Sequence, residues 1–211
     1  MGNETAEAAP LPMNLRSVID LVAMLACSVY CTIPLFWLAL HPFIDRWRKR
    51  GRRAYSLILP VWAVFIAAAF LLAWPNRSAR FYANWWSTWV PAVFLFWTGF
   101  SIYSEAIKGF HHTQLSGVAE LEPGRHIQEL VTTGIRSRVR HPIYLGHLCE
   151  IFGWCIGTGL MPLYALAAFA IVTGALMIRI EDRELEARFG DPYRAYREAV
   201  PAIVPRFRSL T

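Results

Sequence analysis

Apolar residues along this chain gather into runs of about 20, the length one helical crossing of a hydrocarbon layer requires, rather than recurring at the short periods of a soluble core. Val18 to Leu40 is the first such run and Leu57 to Trp74 the second. The third, Trp85 to Ile107, opens with Trp85, Trp86 and Trp89, amphipathic rings that favour the headgroup region; its lone acid, Glu105, lies near the other end. Ile143 to Ile180 is too long for one crossing and is broken by Gly157, Gly159 and Pro162, which predicts two helices in a tight hairpin. The pattern predicts an all-α, polytopic membrane helix bundle with about five transmembrane helices. Residues 1–107 would form an N-terminal three-helix portion and 108–211 the remainder of one membrane domain.

Composition points the same way, because charged residues make up 17% of the chain against roughly 25% in an ordinary soluble domain. A removable signal peptide starts with positive charge, whereas Met1 to Asn14 carries Glu4 and Glu7 and neither Lys nor Arg. The first span is therefore expected to stay in the mature protein. Cys27, Cys31, Cys149 and Cys155 fall inside spans without the spacing of a zinc ribbon or redox motif, and read as small apolar fillers. No metal site is expected.

The net charge of +6 matters through its placement. Arg46, Arg48, Lys49, Arg50, Arg52 and Arg53 follow the first span, Arg125, Arg136, Arg138 and Arg140 the third, and Arg179, Arg183, Arg188, Arg194, Arg197, Arg206 and Arg208 the fifth; the opposite loops hold Arg77 and Arg80. Basic segments accumulate on the cytoplasmic side, so five helices would put the N-terminus outside and the C-terminus in the cytoplasm. The Arg46 to Arg53 cluster could also meet anionic headgroups, at about 1 kcal/mol per base. Membrane lipids rather than nucleic acid are the expected partners.

Candidate chemistry begins in the polar connection Lys108 to Arg140, which leads into Leu130 to Gly146, LVTTGIRSRVRHPIYLG. Arg140, His141, Pro142 and Tyr144 then stand at the mouth of the fourth span, with Pro142 suited to the first helical position. Unpaired backbone N–H groups beside an imidazole and a phenol suit a polar small molecule, and equally an interfacial anchor. After the fifth span come Arg179, Glu181, Asp182, Arg183, Glu184 and Leu185, then Phe189, Gly190, Tyr193, Tyr196, Val200, Pro201 and Pro205. This reads as a C-terminal cytoplasmic amphipathic helix ended by Gly190, with Tyr193 and Tyr196 folding the next turn back. Glu181 and Asp182 could neutralise a cationic ligand or belong to a solvated face. His147 and Glu150, three apart inside the fourth span, would share a face with Tyr144; a hydrogen-bonded pair and a base for a substrate proton both remain open.

Taken together, R-H-P-x-Y-x-G, a hairpin, an acidic pair, F-G-x-x-Y-x-x-Y and V-P, over about Gln128 to Pro205, resemble the membrane methyltransferases that include isoprenylcysteine carboxyl methyltransferase and are similar to phospholipid N-methyltransferases. The resemblance implies that 108–211 is a methyltransferase core binding S-adenosylmethionine at the cytoplasmic face. Its cofactor site would comprise Glu129, Leu130, Val131, Arg140, His141, Pro142, Ile143, Tyr144, Gly146, Glu181 and Asp182. Glu181 would meet the cofactor's charged amino-acid end, and Arg179 would orient an acidic acceptor. That acceptor, isoprenylcysteine carboxylate-like or a lipid amine, would enter from the bilayer. The chain departs from the family pattern in Asp182 for a second Glu, in Arg136 where an aromatic is common, and in Met177 one turn before Glu181, where the isoprenylcysteine branch has its Arg. Two other readings compete: an NADPH-dependent reductase similar to sterol C14-reductases, whose R-H-P-N-Y-x-G-D differs at Ile143 and His147, and a non-catalytic membrane subunit or transporter.

Overall fold

The computed structural model describes residues 13–83, 86–108, 112–122, 124–125 and 129–205. The expectations resting on Glu4, Glu7, Trp85, Gln128, Arg206 and Arg208 lie outside the described residues. Five long helices carry the fold: α1 (Met13–Leu40), α2 (Tyr55–Ala73), α3 (Trp89–Ile107), α4 (Pro142–Thr158) and α5 (Met161–Phe189), followed by the short α6 (Asp191–Ala199). Among the described residues the only strand-like pairing is one bridge between Arg80 and Leu160.

Four of these helices, α1, α2, α3 and α5, are long and apolar enough to cross a membrane. The expected count was about five, and the difference lies in α4. Its 17 residues rise about 25 Å, short of the roughly 30 Å of a hydrocarbon core. Packing against α3, α1 and α5 surrounds it with helices. The hairpin itself is as expected: Gly159, at φ +69°, ends α4 in the left-handed region that favours glycine, and Pro162 opens α5.

At the other end of α5 the structure corrects a boundary. The fifth span and the amphipathic helix expected after it are one continuous helix of 29 residues, because no residue between Ile180 and Phe189 breaks the backbone ladder. Gly190, at φ +64°, stops it, and α6 starts at once. At 1.5 Å per residue α5 is about 43 Å long, so its charged last turns project past an apolar layer that its first part fills.

The bundle closes around small residues. α3 and α4 make the most extensive interhelical contact, and Gly99 and Gly146 permit it. A Cβ on Gly99 would lie 2.9 Å from the Gly146 carbonyl oxygen, and one on Gly146 would lie 3.2 Å from that of Gly99. Such backbone approach is the usual route to helix packing in lipid, where no hydrophobic gain separates helix from acyl chain. On the other side Ala23, Met24, Cys27 and Cys31 of α1 interlock with Ile151 and Cys155 of α4 and Leu163, Ala167 and Ala170 of α5. All four cysteines are free, and the three in this cluster are fully buried fillers. The apolar side chains left over face outward, among them Leu72, Val90, Trp97, Phe100 and Val172, as a lipid-facing surface requires.

At one end of the bundle the segment before α3 is sealed onto the α4–α5 hairpin and onto α1: Phe81 N–H donates to the Gly159 carbonyl, Met161 N–H to that of Ala79, and Arg80 bonds the Thr158 carbonyl and pairs with Asp20 of α1. The opposite end gathers the C-termini of α1 and α3, the N-terminus of α4, the projecting end of α5 and most of the basic residues.

Because the Gly99 contact leaves no room for a side chain, Gly99→Ala should cost about 1–3 kcal/mol. Its thermal unfolding midpoint in detergent should fall below those of the parent chain and of a Val93→Ala control at an exposed position; equal midpoints would refute the close approach.

Candidate active site

The basic end is organised by one carboxylate. Asp182, buried near the end of α5, accepts from Arg140 Nη2 at 2.7 Å, sits 3.1 Å from His141 Nε2, and receives the Tyr193 hydroxyl from α6. Arg140 Nη1 also donates to the carbonyls of Arg197 and Val200, at 3.0 and 2.6 Å. Backbone bonds add to the join, from Arg140 N–H to the Pro201 carbonyl and from His141 N–H to that of Ala202, both 2.9 Å. The segment entering α4, the acids ending α5 and the C-terminal tail thus meet at one point.

His141 has a second acid, since Glu181 Oε2 lies 3.2 Å from its Nδ1. Burial alone would lower the imidazole pKa, but Glu181 and Asp182 outweigh it and raise the value from 6.5 to about 9. The ring is therefore cationic at neutral pH and holds the two acids side by side. Arg136 is buried and donates to the Ala106 carbonyl at 2.6 Å, while the Tyr196 hydroxyl donates to the Arg136 carbonyl at 2.7 Å. These bonds tie the connection before α4 to α3 on one side and to α6 on the other.

Beside this knot lies a cavity of about 640 Å³, within the usual range for small-molecule sites. Of the residues expected at the cofactor, Glu129, Leu130, Val131, Arg140, His141, Pro142, Ile143, Tyr144 and Glu181 line it. Gly146 instead faces Gly99 and Asp182 holds the knot together. Arg179 is not brought to this cavity. It lines a second, largely apolar one of about 530 Å³ between α1, α4, α5 and residues 201–204, which Asp182 also borders. Tyr144 and His147 line both cavities, and Glu150 lines neither. The Tyr144 hydroxyl is buried and has no hydrogen-bond partner among the described residues, a state that points to an absent ligand atom.

The N-terminal helices supply walls that no motif announced. Trp37 of α1, His41 just past its end, Tyr55 of α2 and Tyr103 of α3 line the larger cavity, with Glu120 from the connection and Arg188 from α5. His41 stacks on Trp37 with ring centroids 5.3 Å apart, and its Nδ1 lies 2.5 Å from Glu184 and 3.5 Å from Glu120. Arg188 pairs with both glutamates. Burial pushes the Glu120 carboxyl up to about 7, despite the opposing pull of His41 and Arg188. Ligand atoms of His41, Glu120 and Glu184 lie within 4.8 Å of one another, a spacing that fits a metal ion as well as an ion-pair cluster. Polar residues at helix ends were the available signal; which helices adjoin was not in the sequence.

Named proteins of similar sequence include several methyltransferases. The methanethiol S-methyltransferase of Mycobacterium tuberculosis is 28% identical, across 94% of this chain and 82% of its own length. The protein-S-isoprenylcysteine O-methyltransferase of Schizosaccharomyces pombe is 36% identical across 36% of this chain and 33% of its own. The nickel-cobalt-cadmium resistance protein NccN of Alcaligenes xylosoxydans xylosoxydans is 30% identical across 71% and 66%. The methanethiol name recurs in further relatives, of whose lengths this chain spans 35%, 25% and 45%. These relatives support an isoprenylcysteine carboxyl methyltransferase-like family. No family model and no solved structure matches the chain. That likeness accords with a multi-pass helical bundle whose motif residues gather at one end.

The raised His141 value gives stability a definite pH dependence. A group whose pKa is raised by folding contributes fully below its unfolded value, here about 6.5, and loses that contribution as pH rises through about 9. Thermal stability should therefore decline across this window in the parent chain and decline less in His141→Gln; parallel profiles would show that the ion pairs do not support the fold.

Proposed function

We propose that the chain is an S-adenosylmethionine-dependent membrane methyltransferase acting on a thiol. The observation that carries this reading is the convergence of Arg140 to Tyr144 with Glu181 on one cavity, where the buried Tyr144 hydroxyl lacks a partner. The residues present fit such a cofactor. Glu181, held by cationic His141, offers a carboxylate to an ammonium group, and the rings of Trp37, Tyr55 and Tyr103 offer flat apolar walls to a nucleoside base and to a cation. Bound there, S-adenosylmethionine would supply a methyl group carried on a sulfonium. What the chain adds is alignment and the exclusion of water, which provide much of the rate enhancement for an in-line displacement.

Two facts favour a thiol over the carboxylate or lipid amine expected from sequence. The relative aligned with nearly the whole chain is named for methanethiol, whereas the isoprenylcysteine enzyme aligns with about a third. Met177, at the position where the isoprenylcysteine branch has its Arg, lines the larger cavity and offers a carboxylate no cation. If the motif-rich end is cytoplasmic, as the distribution of basic residues supports, the cofactor is drawn from the cytosol and the acceptor from the membrane.

A second reading, divalent-cation binding, is favoured by the His41–Glu120–Glu184 spacing and by the relative named for nickel, cobalt and cadmium resistance. Arg188 already neutralises both glutamates, which disfavours it. Metal analysis of the purified protein should find no stoichiometric ion; one equivalent retained after dialysis would revive it.

Calorimetric titration should show S-adenosylmethionine binding in the micromolar range and no binding of NADPH. His141→Ala and Glu181→Ala should each weaken the former at least tenfold, about 1.4 kcal/mol. Binding of NADPH alone would overturn the assignment in favour of the reductase reading.

A further inference from the structure

His147 is buried inside α4, one turn beyond Tyr144, and rings surround it. The centroids of Tyr30 of α1, Tyr103 of α3 and Tyr144 lie 5.3, 5.4 and 6.4 Å from its own. Glu150 is three residues on and lines neither cavity, and among the described residues no hydrogen bond or ion pair joins it to His147. Among the described residues no acid bonds to the imidazole, and its edge borders both cavities.

The second cavity leads to the same ring from another direction. It is walled by Pro34, Leu148, Gly174 and Ile178, and it reaches Ile171, which is 46% exposed on the outward face of α5. It is therefore an apolar passage from the lipid-facing surface to His147, while the opposite side of His147 faces the cavity assigned to the cofactor. A neutral base between an apolar entrance and a cationic donor has a specific use.

We propose that an apolar thiol enters through this second cavity and that His147 takes its proton as the methyl group is transferred. The inference rests on the methyltransferase reading above and narrows its acceptor. A thiolate is the competent nucleophile, and an alkanethiol is mostly protonated at neutral pH, so a base in contact with sulfur raises the reactive fraction. A carboxylate acceptor has no proton to give. An amine would arrive as an ammonium, and among the described residues no carboxylate bonds to the ring to hold that charge. In the step, the acceptor sulfur forms a bond to the methyl carbon and the donor's carbon–sulfur bond breaks. The donor sulfur keeps that electron pair as a neutral thioether. The thiol proton passes to the His147 imidazole and from there to water after turnover.

The test compares ethanethiol with 4-nitrothiophenol, which is already ionised at neutral pH, on the full-length protein in detergent with S-adenosylmethionine. His147→Gln should still bind S-adenosylmethionine, lose about 100-fold in kcat/KM on ethanethiol, and lose less than about tenfold on 4-nitrothiophenol. Undiminished turnover of ethanethiol, or equal losses on both thiols, would overturn the role of His147 while leaving the methyltransferase intact. A parent chain that binds no S-adenosylmethionine would overturn the underlying function and this inference with it. Should the Gln side chain disturb the fold, as judged by cofactor affinity and unfolding midpoint, His147→Asn substitutes and the same comparison decides.

Discussion

Asp182 binds an arginine and a histidine from the segment entering α4 and a tyrosine from α6, and the junction of these with the end of α5 is built on that buried carboxylate. A charge removed from water is tolerated when its partners are in place; deleting one partner of such a set is among the more damaging changes a fold can suffer, at about 3–5 kcal/mol. The network therefore fixes the angle at which the segment before α4 meets the end of α5, and with it the location of Glu181, one residue away and turned toward the cavity. Neighbouring acids on one helix point in different directions. That divergence gives Asp182 a structural task and leaves Glu181 available to a ligand.

Much of this was legible in the sequence, for identifiable reasons. Spans announce themselves by apolar run length, and Gly157, Gly159 and Pro162 marked the hairpin because they limit what the backbone can do. R-H-P and the acidic pair stood out because charged residues at the edges of apolar runs need partners. Two boundaries misled. The polar residues from Arg179 onward looked like the start of a new element, yet polarity does not end a helix; Gly190 does. α4 looked like one span among equals, whereas its shortness follows from Pro142 and Gly159 being only 17 residues apart.

The contribution of the N-terminal half was not legible. Trp37, Tyr55 and Tyr103 sit on helices whose apolar pattern says only that they are buried in something, protein or lipid. Which helix faces which is decided by close approaches such as Gly99 to Gly146, and these become visible only when two distant segments are seen together. The same limit applied to His147: its spacing from Glu150 left a pair and a base for a substrate proton both open, and the neighbouring rings of Tyr30 and Tyr103 come from other helices.

The two carbonyl bonds made by Arg140 have a consequence for the C-terminal segment. Arg197 and Val200 carry backbone oxygens that the end of α6 leaves without helical partners, and one guanidinium satisfies both while holding Asp182. Peeling residues 197–205 away would take two acceptors from one buried cation at once. The C-terminal segment is thereby latched across the junction of α4 and α5, and the two cavities reach that latch from different surroundings, one from polar helix ends and one from the apolar sides of α1 and α5.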